Sequence, residues 1–162
     1  MLADAEAFLH HAEPRSRVVL EGLIEDGVVR TDRGQTWHAV ASVLVVGPDR
    51  RILLARNKQG WGTVGGHIDP GDPSIRAAVV REALEEIGLR LDEEALEPLA
   101  FLADESVVRP GHAHLDFCYL HRAAELVEVT PASDVSAARW FPLDDLPDVN
   151  AHIAALVATV PS

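Results

Sequence analysis

Apolar residues in the first 36 positions recur at helical spacing among acidic ones, which predicts short amphipathic helices. Pro14 either separates two such helices or begins the second, because proline fits the first turn of a helix but not its interior. We expect residues 1–36 to form a helical N-terminal extension that packs on a main domain of residues 37–162. The alternative is an arm through which two copies form a homodimer.

The pattern becomes strand-like from residue 38 onward. Residues 39–46 are almost wholly apolar and rich in β-branched side chains, as is typical of a buried strand. A turn at residues 47–50 leads to a second apolar run at residues 52–54, which predicts a hairpin. Further strands are predicted at residues 99–102, 114–121, 126–129 and 138–141, and a last helix at residues 149–160.

A glycine-rich loop at residues 60–71 lies between the hairpin and a long helix. Helical spacing runs from Pro73 to Ile87, with Pro73 in the first turn. Gly88 follows as the glycine that commonly ends a helix. The apolar positions of this helix predict a buried stripe composed of Ala77, Val80, Leu84 and Ile87.

Composition and charge narrow the class of protein. The chain has 14 basic and 26 acidic residues and a formal net charge of −12, which opposes binding to duplex nucleic acid. An anionic substrate therefore needs a local bound cation or arginine cluster. The single cysteine excludes a disulfide within the chain, the acidic N-terminus lacks signal-peptide features, and no apolar run reaches the roughly 20 residues of a membrane helix. We expect a cytoplasmic protein that does not enter membranes.

Three glutamates on the long helix are the strongest candidates for chemistry. Glu82, Glu85 and Glu86 are spaced i, i+3, i+4 and so share one helix face. Two carboxylates about 4 Å apart repel by about 4 kcal/mol at an effective dielectric constant near 20, so a partly buried cluster favours a divalent cation. Oxygen ligands select hard ions such as Mg²⁺ or Mn²⁺. Glutamates at this spacing also occur on solvated helix faces, but the glycine-rich loop directly upstream favours a site.

This part of the chain resembles the Nudix hydrolase family. The family signature is G-x5-E-x7-R-E-U-x-E-E-x-G-U, where U is apolar, and it matches Gly66, Arg81, Glu82, Glu85, Glu86, Gly88 and Leu89. Trp61 precedes Gly66 by five residues, as in the common lead-in of the family, and residues 139–147 resemble its closing segment. One position departs: Asp72 stands where the first glutamate is expected from Gly66. Counted from Arg81 that place holds Pro73, because this loop is one residue longer.

The resemblance implies an α/β/α sandwich with a central mixed sheet, classed as α/β or α+β. It also implies Mg²⁺-dependent hydrolysis, with Mn²⁺ as a substitute, of a diphosphate bond in a small nucleotide or nucleoside diphosphate-linked substrate. The implied metal ligands are Glu82, Glu85, Glu86 and the Gly66 carbonyl, and the implied catalytic residues are Arg81, Glu82, Glu85 and Glu86.

Several features of this function stay open from sequence. The general base is one of the glutamates or a remote carboxylate, for which Asp104 and Glu105 are candidates. One alternative function is that of a Nudix-fold enzyme, an isomerase or hydrolase, that acts on a non-nucleotide diphosphate. The other is a weak or inactive module that binds ADP-ribose or nucleotides, which the altered position of Asp72 leaves open.

Further candidates for substrate binding come from the strands. His112, His114 and Asp116 alternate along a predicted strand, so they project to one side. They bind metal or substrate phosphate, or they form the solvent-facing side of an edge strand; the apolar Leu115 and Phe117 opposite them favour a role towards the substrate.

The hairpin and its loop supply the remaining candidates. Arg56 and Lys58 either contact phosphate or are simply exposed, and Trp37 and Trp61 either stack on a base or belong to the core. Cys118 is expected to be a small buried hydrophobic residue rather than a reactive thiol.

Overall fold

The computed structural model describes residues 1–34, 36–105 and 111–161, except the side chains of Asp104 and Glu105. Within these residues the chain forms one seven-stranded sheet between two helical layers. The helices are α1 (Leu2–Glu6), α2 (Pro14–Glu25), α3 (Ile75–Ile87) and α4 (Ala151–Ala158). The strands are β1 (Trp37–Gly47), β2 (Arg51–Asn57), β3 (Gly60–Gly62), β4 (Val64–His67), β5 (Glu97–Glu105), β6 (Ala113–Arg122) and β7 (Ala137–Pro142).

The sheet is mixed. Its main order is β3-β2-β1-β6-β5, with β4 paired to β1 and β7 paired to β2. Strands β1 and β6 are parallel over ten residue pairs, from Trp37–Ala113 to Val46–Arg122. The other pairings are antiparallel. This arrangement confirms the predicted α/β/α sandwich with a central mixed sheet.

One face of the sheet is covered by the three helices α1, α2 and α3. Side chains alternate along a strand, and Ala41, Val43 and Val45 of β1 point to this face, where they join the larger hydrophobic cluster. Phe8 lies in the same cluster with its ring edge-on to Phe117 and Tyr119, at centroid distances of 5.3 and 4.9 Å. This layer holds α3, and with it the glutamates, against the sheet.

The opposite face carries a smaller hydrophobic cluster under α4. Leu44 and Val46 of β1 pack there with Ile153 and Leu156 of α4. Asn150 begins the helix, since its side chain accepts a hydrogen bond from the Ile153 N–H at 2.9 Å. The predicted helix at residues 149–160 is therefore confirmed in slightly shorter form. Among the described residues no helix has the length and apolar character needed to cross a membrane.

Helix α3 begins and packs differently from the sequence prediction. Ser74, not Pro73, begins the helix: its hydroxyl accepts a hydrogen bond from the Ala77 N–H at 2.9 Å. Gly88 ends it in the left-handed conformation as predicted, with φ = 67°. The predicted buried stripe is correct at Ile87, which is fully buried, but wrong at Leu84, which is 44% exposed. The buried positions are Ile75, Ala78, Val79, Ala83 and Ile87.

The strand prediction is wrong in one place and incomplete in another. Residues 126–129 form no strand; they lie in an irregular segment, where the Val127 carbonyl accepts a hydrogen bond from the Trp140 indole at 3.1 Å. Strands β3 and β4 were missed because glycines dominate both, and glycine is depleted in strands. In the irregular segment that contains Leu126 and Val129, Val129 packs against the larger hydrophobic cluster without forming a strand.

The N-terminal residues contribute directly to the larger cluster. Ala5, Phe8, Leu20 and Leu23 are all buried within it. The chain also joins the sheet, because Ala12 forms a parallel bridge with Phe101. The segment therefore packs on the domain as expected. Three points stay predictions: the division of the chain after residue 36, the alternative role of residues 1–36 as a dimerisation arm, and the homodimer.

Candidate active site

Strand β4 brings the glycine-rich loop against β1 and α3. Gly65 has φ = +151°, and a Cβ at that position would lie 2.3 Å from the Ala41 carbonyl oxygen and 2.5 Å from the Ser42 Cα. Only glycine fits such a close approach between two backbones. The pairing of Val40 to Val43 with His67 to Val64 therefore depends on Gly65.

Gly66, which has no side chain, leaves room for the Glu82 carboxylate. A Cβ on Gly66 would lie 2.7 Å from the carboxyl carbon and the Oε1 of Glu82. The side chain of Glu82 is 13% exposed, and burial raises its pKa despite the opposing effect of Arg81. The loop and the helix thus meet at one carboxylate, which lies directly over the Gly66 backbone.

Arg81 connects the carboxylates of the helix to the loop. It donates hydrogen bonds to Glu82 at 2.9 Å and to Glu85 at 3.1 Å. It also donates to the His67 carbonyl at 2.9 Å, which ties the helix to the end of β4. Because one guanidinium holds these three groups, the relative positions of Glu82 and Glu85 are fixed by Arg81.

Asp72 holds the other side of the same guanidinium. Its two oxygens accept from Arg81 Nε at 3.0 Å and Nη2 at 2.8 Å, which is the bidentate geometry of strong arginine–carboxylate pairs. This hydrogen bonding to Arg81 lowers the pKa of Asp72. Asp72 also accepts from the Asp69 N–H at 2.7 Å, so the longer loop still delivers a carboxylate to Arg81.

Glu86 is held by the backbone of β4. One of its oxygens accepts from the Gly65 N–H at 3.0 Å. Burial, together with the charges of Glu82, Asp134 and Glu85, raises the pKa of Glu86 from 4.5 to about 7. Glu85 differs, since its side chain is 55% exposed. The cluster therefore contains two desolvated carboxylates and one at the surface.

The donor set fits a hard divalent cation. Glu82, Glu85 and Glu86 offer only carboxylate oxygens, and the Gly66 backbone lies against the first of them. Burial, and then the charges of neighbouring carboxylates, raise the pKa of Glu86, and a bound cation would offset both effects by favouring the charged carboxylate. Mg²⁺ and Mn²⁺ are the ions that prefer such ligands.

Histidines gather on the opposite side of β4. His38, His112 and His114 form a cluster, with ring centroids 4.6 to 5.2 Å apart. His67 stacks on His38 at 4.9 Å, and burial, followed by the charge of Arg33, lowers the pKa of His67 to about 4. Burial also lowers the pKa of His114. The sequence pattern found His112 and His114, but His38 and His67 joined them only through strand pairing.

Asp116 shares the strand face of His114 but is largely enclosed. Its two oxygens contact the Ser42 hydroxyl at 2.8 Å and His152 Nε2 at 2.9 Å. The predicted alternation of His114 and Asp116 is thus present, while the carboxylate of Asp116 is engaged by residues of β1 and α4. His152 carries no sequence motif and was missed.

The other candidates for substrate binding lie around β2 and β3. Arg56 and Lys58 are exposed. The Arg56 guanidinium lies 5.9 Å from the centre of the Trp61 ring, and Trp61 packs edge-on against Phe141 at 4.9 Å. Trp37 is 37% exposed and lies outside the core. Cys118 is fully buried, and burial raises the pKa of its thiol, as expected of an inert residue.

One carboxylate near the cluster was missed in the sequence. Asp134 lies close enough to Glu86 to raise its pKa. Its segment docks on the end of α3, because Thr130 and Ala132 donate hydrogen bonds to the Ile87 and Glu86 carbonyls at 2.9 and 2.7 Å. No spacing rule links Asp134 to the helix. The side chains of Asp104 and Glu105, the predicted remote bases, lie outside the described residues.

Comparison with known proteins identifies the family of this chain. A family model described as the NUDIX domain matches residues 36–159. This chain belongs to the Nudix hydrolase family. Two curated relatives are the NAD-capped RNA hydrolases NudC of Stutzerimonas stutzeri (strain A1501), 30% identical over 114 residues, and of Pseudomonas syringae pv. syringae (strain B728a), 32% identical over 115 residues. Each match covers 68% of this chain but only 38% of the relative's length.

Solved Nudix structures share the fold. The MutT NUDIX hydrolase from Burkholderia pseudomallei has a TM-score of 0.67 and 27% identity, over 78% of this chain and 100% of that one. The NUDIX domain of Shewanella oneidensis NrtR, complexed with ADP ribose, has a TM-score of 0.62 and 19% identity, over 75% of this chain and 84% of that one. The second likeness shows the fold alone.

Proposed function

We propose that this Nudix chain hydrolyses the diphosphate bond of a small nucleotide or nucleotide-linked substrate, by attack of water at phosphorus. The observation that carries the proposal is the arrangement around Arg81, where one guanidinium holds Asp72, Glu82 and Glu85 beside the glycines of β4. A solvated helix face needs neither a bidentate arginine nor a glycine that admits a carboxylate. The names of the NudC relatives point to the same class of reaction.

Each part of the cluster has a distinct task in this proposal. Glu82, Glu85 and Glu86, with the Gly66 carbonyl, would hold Mg²⁺ or, as a substitute, Mn²⁺. When bound, the cation neutralises charge on the diphosphate oxygens and lowers the pKa of water. Arg81 is a positioning residue, because its guanidinium is used by protein groups and sets where Glu82 and Glu85 stand.

The residues at the rim have substrate roles in the proposal. Arg56 and Lys58 are exposed cations in a chain of net charge −12, so they supply local attraction for phosphate oxygens. Trp61, next to Arg56, offers an aromatic face for a base. His112 and His114 lie on the side of β4 away from Glu82, and we assign them no direct part in the hydrolysis. Asp116, with both oxygens engaged, supports that region rather than contacting substrate.

The test is a product-release screen with Mg²⁺ over nucleotides, nucleotide sugars, dinucleoside polyphosphates, ADP-ribose and NAD. We expect turnover of at least one nucleotide-linked diphosphate, and loss of most of it in Glu85→Gln and Glu86→Gln. The matched control is Glu94→Gln, an exposed glutamate in the short turn Glu93–Ala95, which should keep the wild-type rate. Wild-type rates with every substrate in either cluster variant would refute the assignment.

The alternatives are separated by adding non-nucleotide diphosphates to the screen and by measuring binding of ADP-ribose and nucleotides by calorimetry. Turnover confined to non-nucleotide diphosphates would favour the second enzyme class. Tight binding of ADP-ribose or nucleotide, with no product over hours, would favour a binding module. The main sequence argument for that module was the missing first glutamate, and it is weakened by the bidentate pair of Asp72 and Arg81.

A further inference from the structure

Four of the eight histidines in the chain meet on one patch of the sheet, away from the glutamate cluster. Strands β1 and β6 are parallel, and their register places His38 directly beside His114. His112 lies two residues earlier, just before β6, and His67 packs on the ring of His38. Strand pairing thus brings His38 together with His67, 29 positions later in the sequence, and with His114, 76 positions later.

Three of these side chains have the arrangement of a metal site. His38, His112 and His114 each offer a ring nitrogen, and the three nitrogens lie within 4.8 Å of one another. In a tetrahedral zinc site with Zn–N bonds of about 2.0–2.1 Å, the nitrogens are roughly 3.3 Å apart. Metal binding would have to draw these nitrogens together by up to about 1.5 Å through side-chain rotation, with the strand backbones that carry His38 and His114 kept in register.

The site would be separate from the glutamate cluster. Successive residues of a strand point to opposite faces, and Gly66 and His67 are neighbours on β4. Gly66 faces the carboxylate of Glu82, whereas His67 faces His38. The Glu82 carboxylate and the His38 ring consequently lie on opposite faces of β4.

The chemistry of the ligands also differs. The glutamate cluster offers oxygen and suits Mg²⁺, whereas imidazole nitrogen suits Zn²⁺ and its transition-metal neighbours. Three imidazoles this close cannot all carry a positive charge at low energy. The carboxylate of Asp116 lies near His114, where its charge acts on that ring, and such groups around the ligands strengthen metal sites.

We propose that His38, His112 and His114 bind a transition-metal ion of the Zn²⁺ class at a second metal site. Three protein ligands leave a fourth position for water or for an oxygen of a ligand. This inference is independent of the proposed hydrolysis, since it uses none of the residues assigned to that reaction.

The experiment titrates the full chain, stripped with chelator, with Zn²⁺ in competition with a chromophoric chelator. Millimolar Mg²⁺ is present throughout to occupy the carboxylate cluster. We expect one Zn²⁺ per chain, with affinity reduced at least about 100-fold in His112→Ala and His114→Ala, since loss of a supporting group alone costs about 10- to 100-fold. His10→Ala, at an exposed histidine, is the matched control and should bind as wild type does.

A second comparison locates the zinc. Glu85→Gln should retain Zn²⁺ binding; if Glu85→Gln loses it while His114→Ala keeps it, the ion sits in the glutamate cluster and the proposal is wrong. Circular dichroism checks that the histidine variants fold. If they do not, ¹⁵N resonances of the imidazoles in the wild-type chain decide: Zn²⁺ should shift those of His38, His112 and His114, and unshifted resonances would overturn the proposal.

Discussion

At the scale of single residues, Glu86 combines burial with like charges. Its pKa rises from 4.5 to about 7, first through burial and then through neighbouring carboxylates. A carboxyl group whose pKa is higher in the folded than in the unfolded chain destabilises the folded state when it ionises. The penalty is nearly absent below pH 4.5 and grows until the pH passes about 7.

Glu86→Gln should therefore raise the Tm of the metal-free chain more at pH 8 than at pH 5. The amide oxygen can still accept from the Gly65 N–H, so the local geometry is kept. For a chain of this size each kcal/mol of relieved penalty corresponds to about 2–4 °C. Thermal unfolding at the two pH values measures this, and an equal Tm change at both would show that ionisation of Glu86 is not the cause. Glu94→Gln again serves as the control.

Asp72 shows what the sequence could and could not predict at this scale. The identities of Arg81, Glu82, Glu85 and Glu86 follow from a local helical pattern, and the structure brings these residues together around Arg81. The position of Asp72 depends on the path of a loop with one extra residue. Both of its oxygens reach Arg81, which spacing counted from either end of the motif did not reveal.

At the scale of elements, β4 requires its two glycines for different reasons. At Gly65 a Cβ would meet the backbone of β1 at 2.3 Å, whereas at Gly66 it would meet the end of the Glu82 side chain at 2.7 Å. Backbone cannot move away cheaply, but a glutamate side chain can rotate.

We expect Gly65→Ala to disrupt folding and Gly66→Ala to fold while losing activity. In the second variant Glu82 leaves its place over β4, so the loss should appear as weaker Mg²⁺ binding and a lower kcat. Circular dichroism and thermal unfolding test the first claim, and a Mg²⁺ titration of activity tests the second. Gly71→Ala is the matched loop control, because a Cβ there has open space around it. Normal Mg²⁺ dependence in Gly66→Ala would contradict this account of Glu82.

The orientation of α3 marks the limit of sequence prediction for elements. Its existence and its Gly88 end were predictable, since they depend on local spacing and a left-handed glycine. Its buried face was not, because Leu84 is exposed while Ala78 and Ala83 are buried. The small residues on that face let α3 approach β4 and β1 closely. With this face against the sheet, Glu82 and Glu86 are directed towards β4.

At the scale of the whole molecule, parallel pairing of β1 with β6 joins distant parts of the chain. The sandwich could be inferred from the family resemblance, but the register of residues 37–46 with 113–122 carries no local signal. That register alone brings His38 next to His114. For the same reason the sequence suggested His112, His114 and Asp116 as one set. In the structure the histidines cluster together, whereas the Asp116 carboxylate hydrogen-bonds with Ser42 and His152.

The N-terminal segment also acts at this scale, because it completes the layer that carries α3. The Asp4 carboxylate accepts from the Ile75 N–H at 3.0 Å, so α1 caps the first turn of the helix that holds the glutamates. Phe8 is fully buried against Phe117 and Tyr119. A segment that merely rested on the domain would not fill the core in this way.

Phe8→Ala should therefore lower the free energy of unfolding of the whole chain by about 3–5 kcal/mol, as for other large-to-small core substitutions. Val18→Ala is the matched control from the same segment: Val18 is 69% exposed, and a surface change of this kind stays within about 0.5 kcal/mol. Denaturant unfolding followed by tryptophan fluorescence measures both, since Trp37, Trp61 and Trp140 lie on strands of the sheet and far from Phe8 in sequence. If Phe8→Ala left the tryptophan transition unchanged, residues 1–36 would unfold independently of the sheet, which would contradict the packing of Phe8 against Phe117 and Tyr119.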